Sequence, residues 1–283
     1  MGSGYGIHQI RNRTVDFGNS DMPLSAEDIE KGRLEQFPTA MGAIVLTVKV
    51  PGIEDKQLNP TGPLVAAIFM GKVSRWNDRR IAELNPGVNL PNLPFAPVHR
   101  ADASGTTFQF TDHLAKVSEE WKSRVGVGTS VRWPAGISAH GNDGVAGAVR
   151  NTGGDRLRRV CLREAEPARF HPAAEPRRQL RRAEQGVVPG RGGQRRLVLC
   201  PPFRHFAERP ARQGQLADHR PTFILVPLHA ADPQRTRNVL RFFEWAFRNG
   251  DSITEELVFI TLPDSTKNTI RQMWAAKFNF RSE

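Results

Sequence analysis

Arg100-Ala-Asp-Ala-Ser-Gly-Thr-Thr-Phe108 is the stretch from which the rest of this 283-residue chain can be read. Ser104 is a good helix N-cap, and the run from Gly105 through Phe108 and Phe110 suits the helix that it opens. The first turn of such a helix leaves backbone N–H groups without intrahelical acceptors, at the positive end of the dipole. Gly105 allows close approach, and the hydroxyls of Ser104 and Thr106 stand beside it, so the helix end suits an anion. Arg100 adds a planar fork of donors matched to two oxygens. Asp102, two residues on, is suited to orient and partly neutralise that arginine. Taken alone, Ser-Gly-Thr before an aromatic is most often only a cap, and Arg-x-Asp a surface pair.

Outward from this stretch, residues 14–153 read as an α/β chain. Ser25-Ala-Glu-Asp28 is an N-cap and first turn. Ala43 to Val50 is an apolar, β-branched run that Pro51-Gly52 ends. Asn77-Asp78 cap a helix through Leu84, stopped by Asn85-Pro86-Gly87. Beyond Pro221, Thr222 to Leu228 is a buried-strand candidate. Asp232 to Asn249 is a helix with Val239, Phe242, Phe243 and Ala246 on one face, and Gly250 is its stop. Trp76, Trp121, Trp133, Trp245 and Trp274 read as core or lobe-surface residues. Asn142-Asp143, within Gly141-Asn-Asp-Gly144, read as a cap and packing element rather than a ligand contact.

The segment Asp155 to Arg220 differs from both flanks. It has no apolar period of 2.0 or 3.6 and holds 16 Arg, no Lys and 7 acids, a net of +9. The rest of the chain carries 8 Lys, 16 Arg and 22 acids, a net of +2, so the overall +11 is local and made of arginine. Read literally, it is an irregular basic linker, and a nucleic-acid-binding arm is one function that such a composition suits. A structureless loop of that length inside a compact domain argues against the literal reading. Cys161 and Cys200 have no CxxC spacing, so no metal site is expected, and a disulfide has no support from spacing. No stretch of eighteen apolar residues occurs, and Met1 to Tyr5 have neither a basic n-region nor an apolar h-region; membrane spanning and export are therefore not expected. No Ser-His-Asp or paired-carboxylate arrangement recommends an enzyme.

Several passages together carry a resemblance: Thr14-Val-Asp-Phe-Gly-Asn-Ser-Asp21 with Met22-Pro-Leu, Gln36-Phe-Pro-Thr-Ala-Met-Gly, the Arg100–Phe108 stretch, Gly141-Asn-Asp-Gly144, Pro221-Thr-Phe-Ile-Leu-Val and Phe242-Phe-Glu-Trp-Ala-Phe247. The chain resembles the periplasmic phosphate-binding proteins of high-affinity phosphate ABC transporters over residues 2–153 and 221–283. That resemblance implies an α/β, two-lobed flytrap fold of the type II periplasmic-binding class, incomplete here, closing on its ligand by hinge motion. It implies lobe I from residues 1–48 and 222–283, without its first strand, loop and helix, and an incomplete lobe II from 49–153. The lobes would join by crossings near Leu46–Pro51 and Pro221–Val226.

It also implies phosphate-binding roles for Ser3, Asp21, Arg100, Ser104, Gly105 and Thr106, with Asp102 in support. Asp21 would be the acceptor. A buried carboxylate facing an anion is tolerable when the anion brings a proton to share, which phosphate does and sulfate does not. That disfavours the alternative of another oxyanion, such as sulfate or molybdate, as ligand. Inorganic phosphate and membrane permease subunits are the implied partners, for a periplasmic monomer with no catalysis, no cofactor, no metal and no nucleic acid.

The middle segment then has a second explanation. With permitted codons, residues 154–166 read from the second base of each codon give AIGYVEYAYAKQ, and 216–220 give WPITG. Both resemble the family at the corresponding places. The expectation is that 154–221 is a frame-shifted or disordered arginine-rich segment, and that this copy is impaired or non-functional as a phosphate receptor.

Overall fold

In the computed structural model, residues 2–50, 52–53, 58–150, 158–164, 218–257 and 259–281 are described. The expectations for residues 165–217, including Cys200, lie outside them. The elements in chain order are α1 (Ser3–Arg11), β1 (Gly18–Ser20), α2 (Ala26–Gly32), β2 (Leu34–Val48), α3 (Gly62–Phe69), α4 (Arg79–Leu84), β3 (Phe95–Arg100), α5 (Gly105–Val117), α6 (Glu119–Arg124), β4 (Ile137–Ala139), α7 (Gly141–Arg150), β5 (Arg158–Glu164), β6 (Asp218–Pro227), α8 (Pro233–Asn249), α9 (Asp251–Glu256) and α10 (Asp264–Phe278).

The start and stop signals act as their chemistry requires. The Ser25 side chain accepts from Asp28 N in opening α2, Asp78 from Arg80 N in opening α4, and Ser104 from Thr107 N in opening α5. Asp232 caps α8, which ends at Gly250. One residue of that helix face is displaced: Phe242, expected inward with Phe243, is 54% exposed, while Leu240, Phe243 and Phe247 are buried. A helical face spans only part of each turn, and here it runs through Thr236, Val239, Leu240, Phe243 and Phe247, leaving Phe242 outside it.

The sheet has the order β1-β6-β2-β5-β3-β4. Strand β2 pairs antiparallel with β6 along most of its length, from Leu34 opposite Pro227 to Ile44 opposite Asp218. These two strands link two regions with separate cores. At the β1 end, Phe37, Ile224, Val226, Leu240, Phe243, Ile270 and Trp274 cluster, beside a smaller group of Ile7, Ile10, Leu24, Leu34 and Leu225. At the other end, Ile44, Leu64, Val65, Phe69, Trp76, Phe95, Phe110 and Trp121 cluster, beside Val98, Val145 and Val149. Along β2, Phe37 belongs to the first of these cores and Ile44 to the second. The strand is longer than its apolar run because Pro38, which lacks an N–H, is accommodated at a register shift between Pro38 and Ala40.

The stretch expected to be irregular contains regular backbone at both ends. β5 pairs antiparallel with β2, Val48 opposite Val160, and parallel with β3, Val98 opposite Cys161. β6 begins at Asp218, before the expected boundary at Pro221. Backbone N–H and C=O groups of β2 and β3 need partners whatever the side chains are, and any strand between them supplies these.

Candidate functional site

The cleft between the two regions, with a cavity volume of about 580 Å³, collects all six of the ligand residues implied by the sequence: Ser3, Asp21, Arg100, Ser104, Gly105 and Thr106 line it. Arg100 arrives from the end of β3. Its Nε donates to Asp102 Oδ1 at 2.7 Å, its Nη2 donates to Asp102 Oδ2, and its Nη1 donates to Asn142 Oδ1. Only 7% of the Arg100 side chain and 13% of that of Asp102 is exposed, so the guanidinium is locked rather than swinging in solvent. Gly141, at φ +67°, directs its N–H to Asp102 Oδ1 at 3.0 Å. The Arg100 guanidinium beside Asp102 holds that carboxyl well below the usual carboxylate range, aided by the Gly141 N–H and opposed by burial.

Facing this arginine is the N-terminus of α5, where Ser104, Gly105 and Thr106 are all buried. Asp21 and Ser3 press against the same turn from the opposite lobe. A Cβ on Gly105 would stand 2.2 Å from Ser3 Oγ and 2.5 Å from Asp21 Oδ2, closer than such contacts allow. Gly105→Ala is therefore expected to force the lobes apart at this point, reduce ligand affinity by tenfold or more and leave the α5 helix itself intact, as checked by calorimetry with circular dichroism. A second cross-lobe contact lies beside it, with Gly4 N donating to Ala103 O at 3.2 Å.

The Asp21 carboxylate meets a hydroxyl at each of its oxygens. Thr222 Oγ1 donates to Oδ1 at 2.7 Å and Ser3 Oγ reaches Oδ2 at 3.4 Å, while the Asp21 N–H donates to Ser3 Oγ at 3.0 Å. Burial pushes the Asp21 carboxyl up, and the bonds from Thr222 and Ser3 and the Arg100 charge pull against it.

Thr39, Asn142 and Thr222 also border the cleft and were not singled out from sequence as ligand-facing. Thr39 is the extra residue at the β2 irregularity, a feature that re-aims a side chain. Asn142, read as a cap and packing element, accepts from Arg100. A polar residue within a Gly-Asn-Asp-Gly turn was the available signal for it; Thr39 and Thr222 depend on strand register and left no local signal. Among the described residues no group of three or more His, Cys, Asp or Glu is placed to hold a metal ion.

In comparisons with known proteins, residues 1–155 match a family described as PBP superfamily domain. The chain is 37% identical to phosphate-binding protein PstS of Xylella fastidiosa over 290 aligned residues, covering 98% of this chain and 77% of that protein. It is 34% identical to phosphate-binding protein PstS of Haemophilus influenzae, covering 97% and 82%. Among solved structures, a phosphate-binding protein from Stenotrophomonas maltophilia superposes with a TM-score of 0.63 at 17% identity, over 96% of this chain and 85% of that one, a likeness of fold.

Proposed function

Since this chain belongs to the PstS family of phosphate-binding proteins, we propose that its cleft binds inorganic phosphate as the solute-receiving component of an ABC-type importer. The observation that carries this reading is the pairing of opposites across the cleft: a locked arginine fork and a helix N-terminus that lines the cleft on one lobe, a carboxylate acceptor on the other. Phosphate at neutral pH offers oxygens to the first two and an O–H to the third. Sulfate, offering no proton, leaves Asp21 facing a like charge. Because Arg100 is already paired with Asp102, and Asp143 borders the cleft as well, the ligand is held mainly by directed N–H and O–H dipoles rather than by net countercharge. Closure of the lobes about β2 and β6 traps it. The partners in this reading are membrane permease subunits, the setting is the periplasm, and the receptor acts as a monomer without catalysis.

The same reading makes the arginine-rich segment an out-of-frame passage and the chain an impaired receptor. Codons permitted for β5 can spell Val-Glu-Tyr-Ala-Tyr-Ala-Lys in the second-base frame, a strand-compatible pattern for the slot between β2 and β3. Sequencing of the coding DNA is expected to find AIGYVEYAYAKQ and WPITG in that frame at the two ends of codons 154–220. Stop codons scattered through the frame would refute it. A chain expressed with that segment reframed is expected to bind phosphate more tightly than the chain as it stands.

A further inference from the structure

We infer that Thr222 is the positioning residue for the acceptor carboxylate: its hydroxyl occupies Asp21 Oδ1 and leaves Oδ2 turned toward the ligand side of the cleft. The inference rests on the reading of the cleft as a phosphate site. Thr222 lies on β6 opposite Ala40, next to the irregularity that turns Thr39 into the cleft. Its Oγ1 is 2.7 Å from Oδ1, the tighter of the two hydroxyl contacts to the carboxylate. Oδ2 is the atom against the start of α5, where it would meet a Gly105 Cβ at 2.5 Å. A carboxylate free to rotate would present either oxygen. One whose Oδ1 is held presents a single acceptor in a single place, and discrimination by a shared proton requires that.

The bond also sets the charge of the acceptor. A donor to the ionised form favours it, so Thr222 opposes the effect of burial on Asp21. The charged groups around Asp21 are the Arg100 guanidinium from β3, with Asp102 against it, Asp143 from α7, and the dipole of α5; the Gln109 amide of α5 donates to the Asp21 backbone oxygen at 3.1 Å. None of these contacts Oδ1 by a hydrogen bond; Thr222 does. Without the Thr222 hydroxyl the carboxyl holds its proton to higher pH. Between the titration of the parent and that of the variant, Asp21 is ionised in the first and protonated in the second; there a protonated Asp21 can donate to a fully ionised oxyanion, so phosphate loses its advantage over sulfate.

The test uses the full chain with Asp21 followed by carbon-13 carboxyl NMR as pH is raised, in wild type, Thr222→Val and Thr222→Ser. Thr222→Val is expected to move the Asp21 titration to higher pH and Thr222→Ser to return it. Thr222→Ala repeats the measurement if the valine methyl disturbs β6, and amide spectra report whether each variant is folded. Calorimetry with phosphate and with sulfate is expected to give a phosphate preference about tenfold or more smaller in Thr222→Val, the worth of one hydrogen bond to a charged group. An Asp21 titration identical in wild type, Thr222→Val and Thr222→Ala overturns the inference. A titration that shifts while phosphate binds neither the chain nor its version with residues 154–220 reframed leaves Thr222 in its role and overturns the reading of the ligand instead.

Discussion

Arg100→Ala is expected to abolish measurable phosphate binding while lowering the stability of the fold. Two charge-assisted hydrogen bonds from the fork, at about 1.5–3 kcal/mol each, correspond to a loss of roughly 10² to 10⁴ in affinity. The loss of stability has a separate cause. Removing the guanidinium leaves Asp102, only 13% exposed, without its partner, and breaking a buried pair from one side costs about 3–5 kcal/mol. The double variant Arg100→Ala with Asp102→Ala distinguishes the two effects. It is expected to recover most of the thermal stability and none of the binding, as read by differential scanning calorimetry beside a phosphate titration. Binding restored in the double variant would show that Arg100 supports the fold and does not hold the ligand.

Asp21→Asn is expected to act in opposite directions on stability and on selectivity. Burial raises the folded-state pKa of Asp21, so the native state holds its proton more tightly than the unfolded chain does. Stability contributed by that proton is present at low pH and is lost as pH rises through the folded pKa; above it the buried, ionised carboxylate is a cost. The neutral amide carries no such cost. The ligand-free Asp21→Asn protein is thus expected to melt higher than its parent at pH 7, by about 2–4 °C for each kcal/mol released. The gap should narrow as pH falls through the folded pKa and close below about 4, where the unfolded carboxyl is protonated too. The amide can donate to a fully ionised oxyanion, so sulfate is expected to bind the variant more tightly than the parent. An unchanged ratio of phosphate to sulfate affinity would remove Asp21 from the role of proton acceptor.

The parts of the site that were legible in sequence are those whose chemistry is local. Arg100 and Asp102 are two residues apart, and Ser104, Gly105 and Thr106 form one helix start, so their meeting needs no knowledge of the fold. Ser3 and Asp21 came from resemblance rather than from spacing, and they reach the α5 turn only because β1 pairs with β6 and α1 lies against it. Thr222 was not singled out for the same reason, since 201 residues separate it from Asp21, and the bond from Arg100 to Asn142, read as a cap and packing element, spans 42 residues. Phe242 was misplaced because its neighbours Phe243 and Phe247 define a face that it does not share. β5 shows a limit of composition: a stretch rich in arginine still forms strand backbone where two neighbouring strands need a partner.

The most direct measurement is a calorimetric titration of the chain, and of its version with residues 154–220 reframed, with phosphate and then with sulfate at pH 7. The expected result is saturable one-to-one phosphate binding by the reframed chain with little heat from sulfate, and weaker phosphate binding by the chain as it stands. Sulfate bound by the reframed chain as tightly as phosphate, or no saturable phosphate binding by either protein, would contradict the assignment of the cleft.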